Sequence, residues 1–349
     1  MIGQEAEDSF GESHNFSHLC EDAKLSKLVL FLGAGVSAGH LPMWNELLDT
    51  LLGDALDATV GLDLDGPDYA AFNTAIQESN ALSVYEKATI IKKLLGPQYL
   101  ARLRSSLYPR GSTSDEEAAA RQKDSTLEAV VKLCASRRVA AVVNYNYDDL
   151  LLEALRRDGV RAAHTVCGPS QNVSKSDSLP IYHVHGFLPS RGMLPDMEDS
   201  PIVLSQDEYF HNMLEPFSWQ TTTQIHFLRS FTCLFVGASL ADLDMIRMLS
   251  HAKSYSNQCT IYAIMPRVAL LEKYGKDWNG PRHIGSLLCS FRSLVLDDAG
   301  VRLIMPGDDF KSIPPCVKRL KDVLDRVEQR GTGQKPESSK SGHGQEEMD

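Results

Sequence analysis

The sequence predicts an α/β protein: a mainly parallel sheet, helices on both of its faces, and a helical insertion after the first strand. Three observations carry that reading. Apolar runs of strand length recur at Leu28-Val29-Leu30-Phe31-Leu32, Val139-Ala140-Ala141-Val142-Val143 and Cys233-Leu234-Phe235-Val236, without the polar alternation of a half-exposed sheet. Helical patterns separate these runs, as parallel strands require. The first run ends abruptly at Gly33-Ala34-Gly35, and a helical pattern through Trp44, Leu47, Leu48, Leu51 and Leu52 follows.

In chain order, residues 1–22 read as a polar lead-in, followed by the first strand, the glycine turn and a helix to about Asp57. From 63 to 135 the patterns are helical, broken at Gly66-Pro67 and Gly96-Pro97, with an exposed loop over 109–125. This is the insertion that separates the first strand from the second. The second strand, 138–144, runs into Tyr145-Asn146-Tyr147-Asp148-Asp149 and a helix from Leu150. Ile181-Tyr182-His183-Val184-His185-Gly186 alternates like a strand, so His183 and His185 are expected on one face. A short Ile202-Val203-Leu204 strand and helices to Ser230 precede the third core strand, which ends in Gly237-Ala238-Ser239. A fourth strand is expected over 259–265, edge strands at 294–296 and 301–304, and a closing amphipathic helix over 313–327. The domain is thus expected to span 23–328, with 329–349 a disordered tail of Gly, Lys, Glu, Ser and Gln. Such a Rossmann-like sheet binds ligands at the carboxyl ends of its strands. Four segments with distinctive polar groups sit at such ends or turns: Gly33-Ala34-Gly35, Asn146 to Asp148, His185-Gly186 and Gly237-Ala238-Ser239.

Composition narrows the function classes. Among 349 residues, 43% are hydrophobic and 23% charged, enough for a sizeable core, and the net charge of −11 argues against nonspecific nucleic-acid binding. The seven cysteines form no Cys-x-x-Cys pair, which argues against a zinc module or disulfide framework and for a reducing compartment. With no signal-peptide pattern and no membrane-length apolar stretch, the expectation is a soluble cytoplasmic protein, the nucleus remaining open.

Each candidate residue has two readings. Gly33 and Gly35 suit a phosphate-binding turn, or simply a tight turn needing positive φ. No Walker lysine follows, and no second strand ends in an acid at dehydrogenase spacing. Asn146 can donate and accept, as gripping a ribose hydroxyl or a water requires, or it can cap a helix. For Asp148 and Asp149 the capping reading is preferred, and for His183 that of a satisfied, half-buried ring. Glu208 and Tyr209 after Ser205 read as a capped helix start, as do Asp242 and Asp244 after Ser239.

Taken together, the segments resemble the motifs of the sirtuin superfamily. Leu30-Phe31-Leu32-Gly33-Ala34-Gly35-Val36-Ser37, with Pro42 and Trp44 behind it, resembles the opening motif of that family. Val142-Val143-Asn144-Tyr145-Asn146-Tyr147-Asp148-Asp149 resembles its Asn-x-Asp segment, Val184-His185-Gly186 its His-Gly motif, and Phe235-Val236-Gly237-Ala238-Ser239-Leu240 its Gly-Thr-Ser-Leu loop. The order agrees over roughly 24–298. Trp44-Asn45-Glu46-Leu47-Leu48 and the Asn-Tyr-Asp-Asp-Leu-Leu block look closest to the sirtuin-like NAD hydrolases of antiphage defence and their eukaryotic relatives. Protein-deacylating members carry a four-cysteine zinc module that this chain could not build. Asn144 and Tyr145 depart from the Thr and Gln common in the family and leave Asn146 in place.

The resemblance implies NAD as substrate and no metal. It sets the pyrophosphate on the turn of Gly33, Ala34, Gly35 and Ser37, with Pro42 and Trp44 beside it and Gly237, Ala238 and Ser239 towards the adenosine. Asn146 would hold the nicotinamide ribose and a water, His185, whose unperturbed pKa lies near neutrality, would accept a proton, and Asp148 would position the nicotinamide amide. The implied reaction is hydrolysis to nicotinamide and ADP-ribose, activated by assembly into a homo-oligomer or filament in an immune or stress response, with contacts sought in the 63–135 insertion. A silent sensor or scaffold binding NAD or ADP-ribose is one alternative. An NAD-dependent deacylase or ADP-ribosyl transferase is another.

Overall fold

A computed structural model describes residues 12–60, 71, 75, 82–109, 125–160, 162–169, 178–190, 202–254, 260–271 and 280–332. The sheet strands are β1 (Leu28–Leu32), β2 (Val139–Asn144), β3 (Ala163–Val166), β4 (Leu179–His183), β5 (Thr232–Val236), β6 (Ile261–Ile264) and β7 (Val301–Ile304). They form one seven-stranded sheet, parallel throughout, in the order β3-β4-β2-β1-β5-β6-β7. β1 lies at the centre, and the chain leaves it first to β2 and later to β5 on the other side. That reversal makes a crevice at the carboxyl ends of β1, β2 and β5.

Around the sheet, in chain order, stand α1 (Glu12–Leu25), α2 (Trp44–Val60), α3 (Val84–Leu95), α4 (Tyr99–Leu107), α5 (Thr126–Cys134) and α6 (Leu150–Arg157). They are followed by α7 (Gln206–Leu214), α8 (Trp219–Ser230), α9 (Leu243–Ser254), α10 (Arg267–Leu271), α11 (Arg282–Asp298) and α12 (Ile313–Thr332). The strands feed two cores by alternation. Leu28, Leu30 and Leu32 of β1 join a cluster with α1, α5, α6 and α12, while Val29 and Phe31 join one with α8, α9, α10 and α11. A third cluster, off the sheet, packs α2, α3 and α4 with Tyr147, Leu188, Ile202 and Leu204.

Several expectations are corrected. The supposed polar lead-in contains α1, which buries Phe16, Leu19, Cys20 and Ala23 against the sheet. Arg138 holds the end of that helix by donating to the carbonyls of Ala23 and Ser26. α5, grouped by pattern with the insertion, lies on the sheet, because Leu127, Val130, Val131, Leu133 and Cys134 leave it too broadly apolar to stand away from it. β3 has too few apolar residues to be noticed, with Ala163 and His164 half-exposed at the sheet edge. Residues 202–204 form no strand, and 294–296 belong to α11; both are apolar runs too short to distinguish strand from helix. α12 continues past 327 to Thr332. The expected Gly66-Pro67 break, most of the 109–125 loop, Cys259 and residues 333–349 lie outside the described residues.

Candidate functional site

Register builds the site. Leu32 pairs with Asn144 and Val236, and Asn144 pairs with His183, so β1, β2, β4 and β5 end at one level. The residues that follow, Gly33, Tyr145, Val184 and Gly237, therefore leave the sheet side by side. Above them lies a cavity of about 380 Å³ whose wall includes Gly33, Ala34, Gly35, Ser37, Pro42, Trp44, Asn146, Asp148, His185, Gly237, Ala238 and Ser239. Every residue singled out from the sequence as catalytic or ligand-binding lies on this one wall.

The two glycine loops are clasped together. The Gly35 N–H donates to the Gly237 carbonyl at 2.9 Å. A Cβ at Gly33 would stand 2.6 Å from the Gly237 oxygen, one at Gly35 would stand 2.8 Å from the Gly237 Cα, and one at Gly237 would stand 2.5 Å from the Val36 nitrogen. Neither Gly33 nor Gly35 has positive φ, so the turn reading given for them does not hold; Gly237 does, at +68°. The glycines let two backbones touch.

After Gly33 the chain makes a 3-10 turn over Ala34–Val36, and α2 begins only at Trp44. The N–H groups of Gly33, Gly35, Val36 and Ser37 are used within the protein. Those of Ala34, Gly237, Ala238 and Ser239 have no partner among the described residues and are the donors available to a phosphate on this wall. No lysine or arginine is among the described residues of the wall.

Asn146 is held by its own amide. Nδ2 donates to the Gly33 carbonyl at 3.1 Å and to Ser37 Oγ at 3.4 Å, leaving Oδ1 without a partner among the described residues. Ser37 is buried and donates to Asp148 Oδ2 at 2.9 Å, while Asp148 Oδ1 accepts the Leu150 N–H at 3.1 Å. Asp148 thus both caps α6 and anchors Ser37. Burial pushes its carboxyl up to about 6, against the pull of those two hydrogen bonds. Asp149 serves the frame alone, accepting from the Tyr108 hydroxyl and from the N–H and hydroxyl of Ser190.

The two histidines separate. β4 ends at His183, and a turn closed by the Gly186 N–H on the His183 carbonyl interrupts the expected alternation; Gly186, at φ +101°, permits it. His183 is buried, with Nδ1 donating to the Asn146 carbonyl at 3.2 Å and Nε2 unpaired. It supports Asn146 from below. His185 reaches the cavity, and neither of its ring nitrogens has a hydrogen-bond partner among the described residues. Its position comes from edge-on packing against Tyr145 and Tyr209, at centroid distances of 5.1 and 5.8 Å. Burial pulls the pKa of each histidine down from the unperturbed 6.5 to about 4. The protein environment keeps a ring with a half-exposed edge uncharged at neutral pH.

Residues 140–280 match the family model of the SIR2-like domain. Over that span the chain is similar to a SIR2-like domain. The matched span takes in Asn146, Asp148, His185 and Gly237 and begins after the glycine turn, which joins it through the backbone clasp. A SIR2-like domain implies NAD binding or use, and this one sits on the parallel sheet expected for it. No curated protein matches the chain. Among the described residues no group of three or more His, Cys, Asp or Glu side chains comes together as a metal site, and no helix is long and apolar enough to cross a membrane.

Several further residues shape the site. Tyr85 of α3 and Tyr209 of α7 bring the helical layer onto the cavity, their rings 4.4 Å apart. Asp242 lines it as well, accepting from the Tyr85 hydroxyl at 3.3 Å while capping α9 through the Asp244 N–H. Arg292 of α11 donates to the Leu240 carbonyl at 2.7 Å and the Ser239 carbonyl at 3.3 Å. It thereby holds a loop in which Leu240 has φ +49°, an unfavourable conformation for a residue with a side chain. Asp242 carried a capping signal only. Nothing in the pattern marked Tyr85 or Arg292.

Proposed function

We propose that this protein is an NAD hydrolase that cleaves the nicotinamide–ribose bond to give nicotinamide and ADP-ribose. One observation carries the reading: Asn146 and His185 line the cavity with polar atoms that have no partner among the described residues, beside a glycine clasp whose N–H donors likewise have none there. The pyrophosphate would lie against the N–H groups of Ala34 and of Gly237, Ala238 and Ser239, Pro42 and Trp44 closing one side. Asn146 Oδ1 would accept from a ribose hydroxyl or the attacking water, and Asp148 would hold Ser37 and, through it, the Asn146 amide. The nicotinamide leaves with the electrons of the C1′–N bond, so the leaving group needs no acid. Water attacks C1′, and the neutral His185 ring takes its proton. A ring titrating at about 4 is a weak base, but water bonding to an oxocarbenium-like carbon becomes strongly acidic and needs no strong one. Activation by assembly in an immune or stress response is part of this proposal.

The test is a product balance after incubating the protein with NAD, with and without an acyl-peptide. Nicotinamide and ADP-ribose in equal amounts, independent of the peptide, are expected. Nicotinamide released only with the peptide would replace hydrolysis by group transfer. The low basicity of His185 also favours a second reading, a sensor that binds NAD without turnover. NAD bound and recovered unchanged would establish that one.

A further inference from the structure

Two histidines stand together far from the cavity wall, on α1. His14 and His18 lie about one helical turn apart, and both are exposed. Their Nε2 atoms are 2.9 Å apart, with ring centroids at 4.3 Å and ring planes at 89°. The turn that carries them is fixed from below. Asn15 Nδ2 donates to the Leu303 carbonyl of β7 at 2.8 Å, and Phe16 is buried with the Arg319 guanidinium over its ring at 4.6 Å. Leu19, Cys20 and Ala23 continue the buried face. His14 and His18 therefore share the outer side of an anchored helix and are left out of its packing.

A neutral imidazole has one N–H and one bare nitrogen, so without an ion this contact is a hydrogen bond from one Nε2 to the other. With the proton of each ring on Nδ1, both Nε2 lone pairs become available to a shared cation. Both rings are at the surface, so each can turn its lone pair from its neighbour towards that ion. The separation points to a class of metal. Two bonds of about 2.0–2.1 Å that meet at a right angle set their nitrogens about 2.9 Å apart, whereas a tetrahedral angle would need about 3.3 Å. Right angles belong to tetragonal coordination, which nickel(II) and copper(II) favour over zinc. The net charge of −11 draws cations to the molecule.

We infer that His14 and His18 form a two-nitrogen site on α1 for a divalent transition-metal ion of the nickel or copper class, with water completing the ion's shell. The unfolded chain does not hold the two rings together, so the ion binds the folded helix preferentially and clamps its first turns. The inference is independent of what the cavity does.

Calorimetric titration of the full chain with nickel(II) chloride, after removal of metals with EDTA, tests it. The described free cysteines are all buried, which keeps those thiols from the ion. The wild type should take up one ion at its tightest site. His14→Gln and His18→Gln should each weaken that site at least several-fold with an unchanged circular dichroism spectrum. The double variant should be hardly weaker than either, because either change alone removes the chelate. His283→Gln, a change at an exposed histidine on another helix, should bind like the wild type. With copper(II) in place of nickel, electron paramagnetic resonance should show two imidazole nitrogens on the ion in the wild type and fewer in either variant. A wild type that takes up no nickel overturns the proposal. So do single variants that bind as tightly as the wild type, or losses that add in the double variant, which would mean two rings acting separately.

Discussion

At the scale of single residues, the site works through buried groups whose protonation the fold has set. Burial raises the Asp148 carboxyl to about 6, so the carboxylate that anchors Ser37 dominates only above that pH. Nicotinamide release should therefore fall as the pH drops through about 6, and Asp148→Asn should abolish that limb while lowering the rate throughout. His183 moves the other way, from 6.5 to about 4. The unfolded chain takes up this proton below 6.5 and the folded chain resists until about 4. The stability conferred by a neutral His183 is thus full above 6.5 and is lost as the pH falls through that interval, by on the order of 3 kcal/mol at its end. Asp148 has the opposite sign, since its proton is bound more readily in the folded state between 3.8 and about 6, and it offsets part of the loss. Urea midpoints at pH 7 and pH 4.5 check this: His183→Asn should lose less stability on acidification than the wild type.

At the scale of elements, two loops and one arginine define the cavity. A methyl at Gly35 must push the Gly237 backbone aside, because Gly237 Cα is 2.8 Å away and has no flexible atom to yield. Gly35→Ala should cost about 1–3 kcal/mol in thermal unfolding and lose NAD binding. Gly39→Ala, at φ +80° with nothing within 4 Å, should cost only about 1 kcal/mol and keep binding. Arg292→Met should release Leu240 and weaken NAD binding several-fold with a smaller effect on melting, which calorimetry on one sample resolves. The core strands and the four strand-end segments were legible because double burial leaves long apolar runs and because glycine, Asn and His break them sharply. β3 was not, since an edge strand needs few apolar residues. The end of β4 at His183 was not, since alternation along 181–186 continues through a turn. The reason for Gly33 and Gly35 lies about 200 residues away, at Gly237, and Arg292 acts on Leu240 across a gap of 52; no local pattern encodes either.

At the scale of the molecule, the central β1, with β2 on one side and β5 on the other, places one crevice at the level where β1, β2, β4 and β5 end. The chain has a net charge of −11, and no lysine or arginine is among the described residues of the cavity wall. A dinucleotide approaching this site meets repulsion, so moderate salt should strengthen NAD binding, the reverse of a site built on basic residues. In the proposed reaction Asn146 and His185 cleave the NAD that the clasped loops hold. The decisive measurement is His185→Ala, with NAD affinity and nicotinamide release read on the same preparation. Release falling about 10²–10⁴-fold with affinity changed only a few-fold is the predicted result. Release equal to that of the wild type would contradict it.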